Sequence, residues 1–141
     1  MKRLSLIIGL ACAVLPAGTL RAAPIEGAVV IANPGVPADS ITAAALKDIY
    51  GGKTRYWSGG LSVVIAVLPG ETDAALKAVS GLDVSQFKTF WQRLVFSGRG
   101  QQPQRADDAA ALVALVASTK GAIALVPAET VLRDVKQLEV K

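Results

Sequence analysis

The chain alternates short apolar runs with stretches whose apolar residues recur at helical spacing. Three of the apolar runs predict buried strands, at residues 28–33, 61–68 and 122–126. A fourth run, residues 135–140, alternates apolar with polar residues and predicts an edge strand. These four runs define the sheet that we expect.

A first helix is predicted between the first and second strands, with Leu46, Ile49 and Tyr50 on one face. We expect Asp39 or Ser40 to cap its start, because short polar side chains accept hydrogen bonds from the free N–H groups of a first turn. Two glycines, at positions 51 and 52, are expected to end the helix, since glycine adopts the left-handed conformation without a side-chain clash.

Three more helices are predicted further along the chain. The first covers residues 72–79, the second begins at Asp83 or Ser85, and the third follows a pair of aspartates at positions 107 and 108. The second helix carries an apolar stripe that we interpret as core rather than as a ligand-stacking surface: Phe87, Phe90, Trp91, Leu94 and Val95. The residues between the last two helices, 97–105, have the composition of a loop.

The first 23 residues have the composition of a secretory signal peptide, with Lys2 and Arg3 before an apolar run and small residues from Ala22 onwards. The apolar run is shorter than the roughly 20 residues that a membrane-spanning helix needs, so we expect no membrane span in the mature chain. A buried N-terminal helix and a lipoprotein acylated at Cys12 are the alternatives. The signal peptide predicts export to the periplasm.

Setting the leader aside changes the charge of the chain. The whole sequence has 15 Lys and Arg residues against 11 Asp and Glu, a formal charge of +4. Three of these cations lie in the leader, so residues 24–141 are nearly neutral, and a nucleic-acid partner is not expected. With no histidine and one cysteine, the chain has neither a zinc constellation nor a Ser-His-Asp or Cys-His site. We therefore expect a non-enzyme without metal or cofactor.

Strands separated by helices predict an α/β fold, with a central, mostly parallel sheet flanked by helices. Residues 24–141 are enough for one domain with a single core. Four segments in this order resemble one lobe of the phosphate-binding proteins of phosphate ABC importers: "ITAAALKDIYGGKTRYWSGG", "VVIAVLPGETDAAL", "FWQRLVFSGRGQQP" and "KGAIALVP". The resemblance covers residues 29–127 and is closest to short, single-lobe relatives of those proteins. It implies a type II periplasmic-binding-protein lobe, a periplasmic location and no catalysis.

The same resemblance implies a phosphate site, which this sequence keeps only in part. In full-length relatives two lobes close over phosphate, and an Arg followed by a Gly-Ser-Gly-Thr turn opens a helix towards it. The matching place here has no Arg and keeps only Gly70 and Thr72 of the turn, while Glu71 and Asp73 add negative charge that would repel phosphate. We also expect no second lobe, since few residues remain outside the segments that carry the resemblance. We expect the fold to be retained and most of the phosphate site to be lost.

The candidate anion-binding residues are Thr72 at a helix start and the loop of Ser97, Gly98 and Arg99. Glycines can free N–H groups for an anion and an arginine can add a charged fork. The alternatives are an ordinary helix-start residue and a solvated loop. Trp57 is interpreted as packing of the turn, with stacking on a partner as its alternative.

Two functions are compatible with these residues. The first is an exported, solute-binding-like protein related to phosphate ABC transporter components, binding phosphate or another small oxyanion. The second is a ligand-free interaction module of the cell envelope that keeps the lobe fold and pairs with itself or with an envelope protein. An enzyme would require a favourable geometry among Asp48, Asp73 and Asp107.

Overall fold

A computed structural model of the chain describes residues 24–141. The predicted signal peptide, residues 1–23, and the alternative lipidation at Cys12 lie outside the described residues. Within the part that is described, no helix is both long and apolar enough to cross a membrane.

Six strands and four helices make up the described chain. The strands are β1 (Ala28–Ala32), β2 (Ser40–Ile41), β3 (Val64–Val67), β4 (Gln104–Arg105), β5 (Ala122–Pro127) and β6 (Lys136–Val140). The helices are α1 (Ala43–Tyr50), α2 (Asp73–Ser80), α3 (Val84–Phe96) and α4 (Ala109–Ser118).

The strands form a single sheet in the order β2-β6-β1-β5-β3-β4. Strand β1 is antiparallel to both of its neighbours, and the other five strands all run in one direction. In register, Val30 of β1 lies between Leu125 of β5 and Leu138 of β6. The predicted α/β fold with a mostly parallel sheet is confirmed.

The apolar strands are buried on both faces, as predicted, because helices cover both sides of the sheet. Val30 of β1 faces a core that includes residues of α1, α2 and α3, and its neighbour Ile31 faces the opposite core, which is filled by α4. Strand β5 divides in the same way, with Ile123 and Leu125 on the first side and Ala124 on the second. This alternation of side chains across the sheet explains why these strands carry continuous apolar runs.

The sequence prediction of an edge strand at residues 135–140 is wrong. Strand β2 pairs in parallel along the outer side of β6, with Ser40 opposite Glu139 and Ile41 opposite Val140. The two edges of the sheet are therefore β2 and β4, each two residues long. Such short edges offer few unpaired N–H and C=O groups to another chain.

The predicted helix cap at Asp39 or Ser40 is also wrong, because Ser40 belongs to β2. The cap of α1 is Thr42, whose side chain accepts a hydrogen bond of 3.0 Å from the N–H of Ala45. The starts of α3 and α4 agree with the sequence: Asp83 forms a reciprocal capping box at α3 and Asp108 caps α4.

Strand β3 begins at Val64, three residues later than predicted, because the preceding residues pair back onto their own turn. The N–H of Trp57 donates to the carbonyl of Leu61 at 2.7 Å, and that of Val63 donates to the carbonyl of Arg55 at 2.9 Å. Strand β4 lies inside the predicted loop 97–105, since a two-residue strand leaves no pattern in the sequence.

Candidate functional site

The turn after α1 is a structural corner of the fold. Gly52 has a φ of +73°, and a side chain there would meet Leu94 of α3 at 2.6 Å. Trp57 is buried, and its Nε1 donates a hydrogen bond of 2.9 Å to the carbonyl oxygen of Gly121. This bond joins the corner to the start of β5, which confirms the interpretation of Trp57 as packing.

The start of α2 satisfies its own polar groups. Thr72 is buried, and its hydroxyl donates to the carbonyl of Leu68 at 3.1 Å instead of capping the helix. The N–H of Gly70 donates to the Asp73 carboxylate at 2.8 Å. The Asp73 carboxylate therefore accepts the hydrogen bond that the Gly70 N–H would otherwise donate to a bound anion.

The loop after α3 likewise uses its N–H groups internally. The N–H of Gly98 donates to the carbonyl of Val95 at 3.1 Å, and that of Arg99 donates to the carbonyl of Leu94 at 2.9 Å. The Ser97 hydroxyl donates to the same Leu94 carbonyl at 2.9 Å. These N–H groups close the helix end, so anion binding here would depend on side chains.

The structure does not bring the four predicted anion-binding residues into one pocket. Thr72 lines a cavity beside α2, and Gly98 lines a second, more polar cavity that also includes Arg55 and Tyr56. Ser97 lies on a shallow surface groove of α3. The guanidinium of Arg55 donates to the Arg99 carbonyl at 3.0 Å, which ties the corner to the loop.

The cavity beside α2 has a volume of about 150 Å³ and lies next to the carboxyl ends of β3 and β4. Helices α2 and α3 and the end of α1 form its other walls. Its buried lining is mainly apolar and includes Tyr50, Leu76, Phe87, Trp91 and Leu125. The exposed residues that line it, and so mark its mouth, are Asp73, Lys88, Gln102 and Arg105. In open α/β sheets, ligands bind beside the carboxyl ends of the strands.

Tyr50 is the one buried side chain of residues 24–141 whose polar atom has no hydrogen-bond partner in the protein. Its side chain is 1% exposed and its ring lies 6.1 Å from the ring of Phe87. Burial raises the pKa of the Tyr50 hydroxyl well above its ordinary value, so the group remains a neutral O–H donor. The sequence placed Tyr50 only on an apolar helix face and missed this role. The signal was present, since a buried tyrosine usually requires a partner for its hydroxyl.

The described residues contain no group of three or more acidic, histidine or cysteine side chains that could hold a metal ion. Asp73, one of the three aspartates considered for catalysis, is engaged by the Gly70 N–H. We take as the candidate site the cavity beside α2, which has an apolar lining, the buried Tyr50 hydroxyl and charged residues at its mouth.

Comparison with solved structures identifies the fold. The chain is similar to a protein described as a phosphate ABC transporter substrate-binding protein, solved with bound phosphate, from Clostridium perfringens, with a TM-score of 0.64 and 20% identity. It is also similar to an ABC-type phosphate transport receptor from Vibrio cholerae, with a TM-score of 0.54 and 17% identity, and to PstS from Borrelia burgdorferi, with a TM-score of 0.52 and 13% identity.

These matches cover 81–82% of this chain but 44–47% of the other chains, so the chain spans less than half of their length. No protein-family model matches the chain. No curated protein matches it either. At the level of the fold, the chain has the α/β lobe of the substrate-binding proteins of phosphate ABC transporters, and the resemblance predicted from the sequence is confirmed to that extent.

Proposed function

We propose that the chain is an exported, solute-binding-like protein that acts without catalysis. The observation that carries the proposal is the cavity at the carboxyl ends of β3 and β4, in a lobe whose structural neighbours include substrate-binding proteins. Export to the periplasm rests on the composition of the first 23 residues.

Native mass spectrometry of the protein secreted from the full chain tests this function. It reports the processed mass, any bound solute and the assembly in one spectrum. A processed chain that carries a small-molecule adduct supports the proposal. A chain that keeps its first 23 residues, or that binds no solute when presented with a metabolite extract, contradicts it.

Phosphate or another small oxyanion is the ligand suggested by the bound phosphate of the Clostridium perfringens structure. Since the loop N–H groups and the hydroxyls of Ser97 and Thr72 already donate to backbone carbonyls, such an anion would be bound mainly by the guanidinium of Arg99. Calorimetric titration with phosphate and sulfate is the test. Heat that disappears in Arg99→Gln and persists in Arg133→Gln supports oxyanion binding, and no heat at millimolar anion excludes it.

The alternative function, an interaction module of the cell envelope, is supported by Phe96 at the end of α3. Its side chain is 98% exposed beside the shallow groove of Thr89, Gln92 and Arg93. A phenylalanine with so exposed a side chain favours a contact with a second copy of the chain or with an envelope protein. Light scattering of wild type and Phe96→Ser tests the self-association that this alternative allows. An assembly that Phe96→Ser dissociates supports the module, and a monomer in both forms argues against self-association.

A further inference from the structure

We propose that the cavity lined by Tyr50 binds a small aromatic acid that carries a second polar group opposite its carboxylate. The ring would lie among the apolar side chains, the carboxylate would face the cations at the mouth, and the second group would accept a hydrogen bond from Tyr50. The inference rests on the proposed solute-binding function and names the chemical class of the solute.

The size and lining of the cavity define the body of the ligand. Its volume of about 150 Å³ equals that of an engineered apolar protein cavity that takes up benzene. Phe87 and Trp91, with ring centroids 6.1 Å apart, form an aromatic wall beside the aliphatic Leu76. Aromatic rings pack against one another in tilted and edge-to-face arrangements, so this wall suits a six-membered ring.

The buried end of the cavity defines the second polar group. The Nε1 of Trp91 already donates to the Tyr50 carbonyl at 3.0 Å, and the Thr72 hydroxyl donates to the Leu68 carbonyl. Tyr50 is the one remaining lining residue with a buried side-chain polar atom, within residues 24–141, that has no partner. A buried hydroxyl without a partner is unfavourable, and a ligand acceptor would remove that cost.

The mouth defines the charge of the ligand. Lys88 and Arg105 line it, are exposed, and take part in no ion pair with another described residue. The one carboxylate at the mouth, Asp73, accepts the N–H of Gly70. Because the mouth has two cations and its one carboxylate is already hydrogen-bonded, it favours a ligand with an anionic group. A carboxylate is suitable because it can accept two hydrogen bonds from the guanidinium of an arginine.

A titration of the exported protein with 4-hydroxybenzoate and benzoate tests the inference. The 4-hydroxyl can accept from Tyr50 and benzoate has no such group, so 4-hydroxybenzoate should bind about fivefold more tightly. Tyr50→Phe should reduce this preference to less than about twofold. Tyr56→Phe is the matched control, because Tyr56 is exposed and lines the other cavity, and it should keep the wild-type preference.

A second pair of variants tests the mouth. Lys88→Gln should weaken the binding of 4-hydroxybenzoate by about threefold or more. It should leave the affinity for p-cresol, which has no carboxylate, unchanged. Lys77→Gln on α2 is outside the cavity lining and should change neither affinity.

Three outcomes would overturn the inference. The wild type could bind the two acids equally, the preference could survive Tyr50→Phe, or neither acid could bind. If neither acid binds but a co-purifying solute or phosphate is detected, the solute class is wrong and the solute-binding function stands. If no solute of any kind binds, both proposals fail. Tyr50→Phe removes no protein hydrogen bond, so it is expected to fold.

Discussion

The indole nitrogen of Trp91 donates a hydrogen bond of 3.0 Å to the main-chain carbonyl of Tyr50, 41 residues earlier in the chain. This bond joins the last residue of α1 to the middle of α3 and places both aromatic side chains in the wall of one cavity. It satisfies the backbone of Tyr50, while the side-chain hydroxyl of the same residue has no partner among the described residues. The end of α1 is thus joined to α3 beside a buried hydroxyl that no described protein group engages.

Stability should fall at high pH because of Tyr50. Its pKa in the folded protein lies above that in the unfolded chain, so its neutral form is favoured by folding. This contribution is fully present below about pH 10 and is lost as the pH rises above that value. Urea unfolding of wild type should show a decline above about pH 10 that Tyr50→Phe reduces and Tyr56→Phe retains. Equal declines in all three proteins would contradict the burial of the Tyr50 hydroxyl.

Trp57→Phe should lower the free energy of unfolding by about 1–2 kcal/mol through the lost hydrogen bond to Gly121 and reduced packing. The Gly121 carbonyl also accepts the N–H of Val64 at 3.0 Å, so it would keep one partner. Urea denaturation measures the change. The exposed neighbour provides the control, and Tyr56→Phe should shift stability by less than about 0.5 kcal/mol.

Gly121→Ala should be far more damaging than Gly59→Ala. Both glycines have positive φ, +81° and +90°, so both substitutions introduce backbone strain of about 1 kcal/mol. At Gly121 the new Cβ would also lie 2.0 Å from the backbone oxygen of Ser62, whereas at Gly59 nothing lies within 4 Å. Thermal unfolding should show a moderate shift for Gly59→Ala and loss of the folded state, or a shift at least twice as large, for Gly121→Ala. Similar shifts would show that β3 and β5 do not approach each other as described.

Thr42→Ala should cost about 1 kcal/mol, since it removes the hydrogen bond that caps α1. Ser40→Ala is the informative control because the sequence alone favoured that region as the cap. With Ser40 in β2, its substitution should cost less than about 0.5 kcal/mol. If chemical denaturation showed a larger loss of stability for Ser40→Ala than for Thr42→Ala, the cap predicted from the sequence would be correct and Thr42 would not cap α1.

Local patterns were sufficient for the long elements. Strands β1 and β5 were predictable because both of their faces are buried, so their residues are apolar without interruption. The starts of α3 and α4 were predictable near Asp83 and the pair Asp107 and Asp108, since short acidic side chains favour the first turn of a helix. The two-residue strands β2 and β4 were not predictable, because distant partners rather than local residues determine them.

The candidate site was harder to predict than the fold. Thr72 was a candidate for anion binding, with an ordinary helix-start residue as the alternative, and its hydroxyl donates to the Leu68 carbonyl and does not cap the helix. The significance of Tyr50 depends on which polar groups approach its hydroxyl in three dimensions, and spacing along the chain carries no such information. The negative charges around Thr72 were noted in the sequence, and the bond between Asp73 and Gly70 shows how one of them is used.

The most direct test of ligand binding in this cavity uses the fact that the chain has two tyrosines, Tyr50 and Tyr56. Carbon-13 labelling of the tyrosine ζ position gives one signal for each, assigned with the two Tyr→Phe variants. Titration with 4-hydroxybenzoate should move the Tyr50 signal in a saturable manner and leave the Tyr56 signal in place. A stationary Tyr50 signal, or movement of Tyr56 alone, would contradict the assignment of this cavity as the solute site.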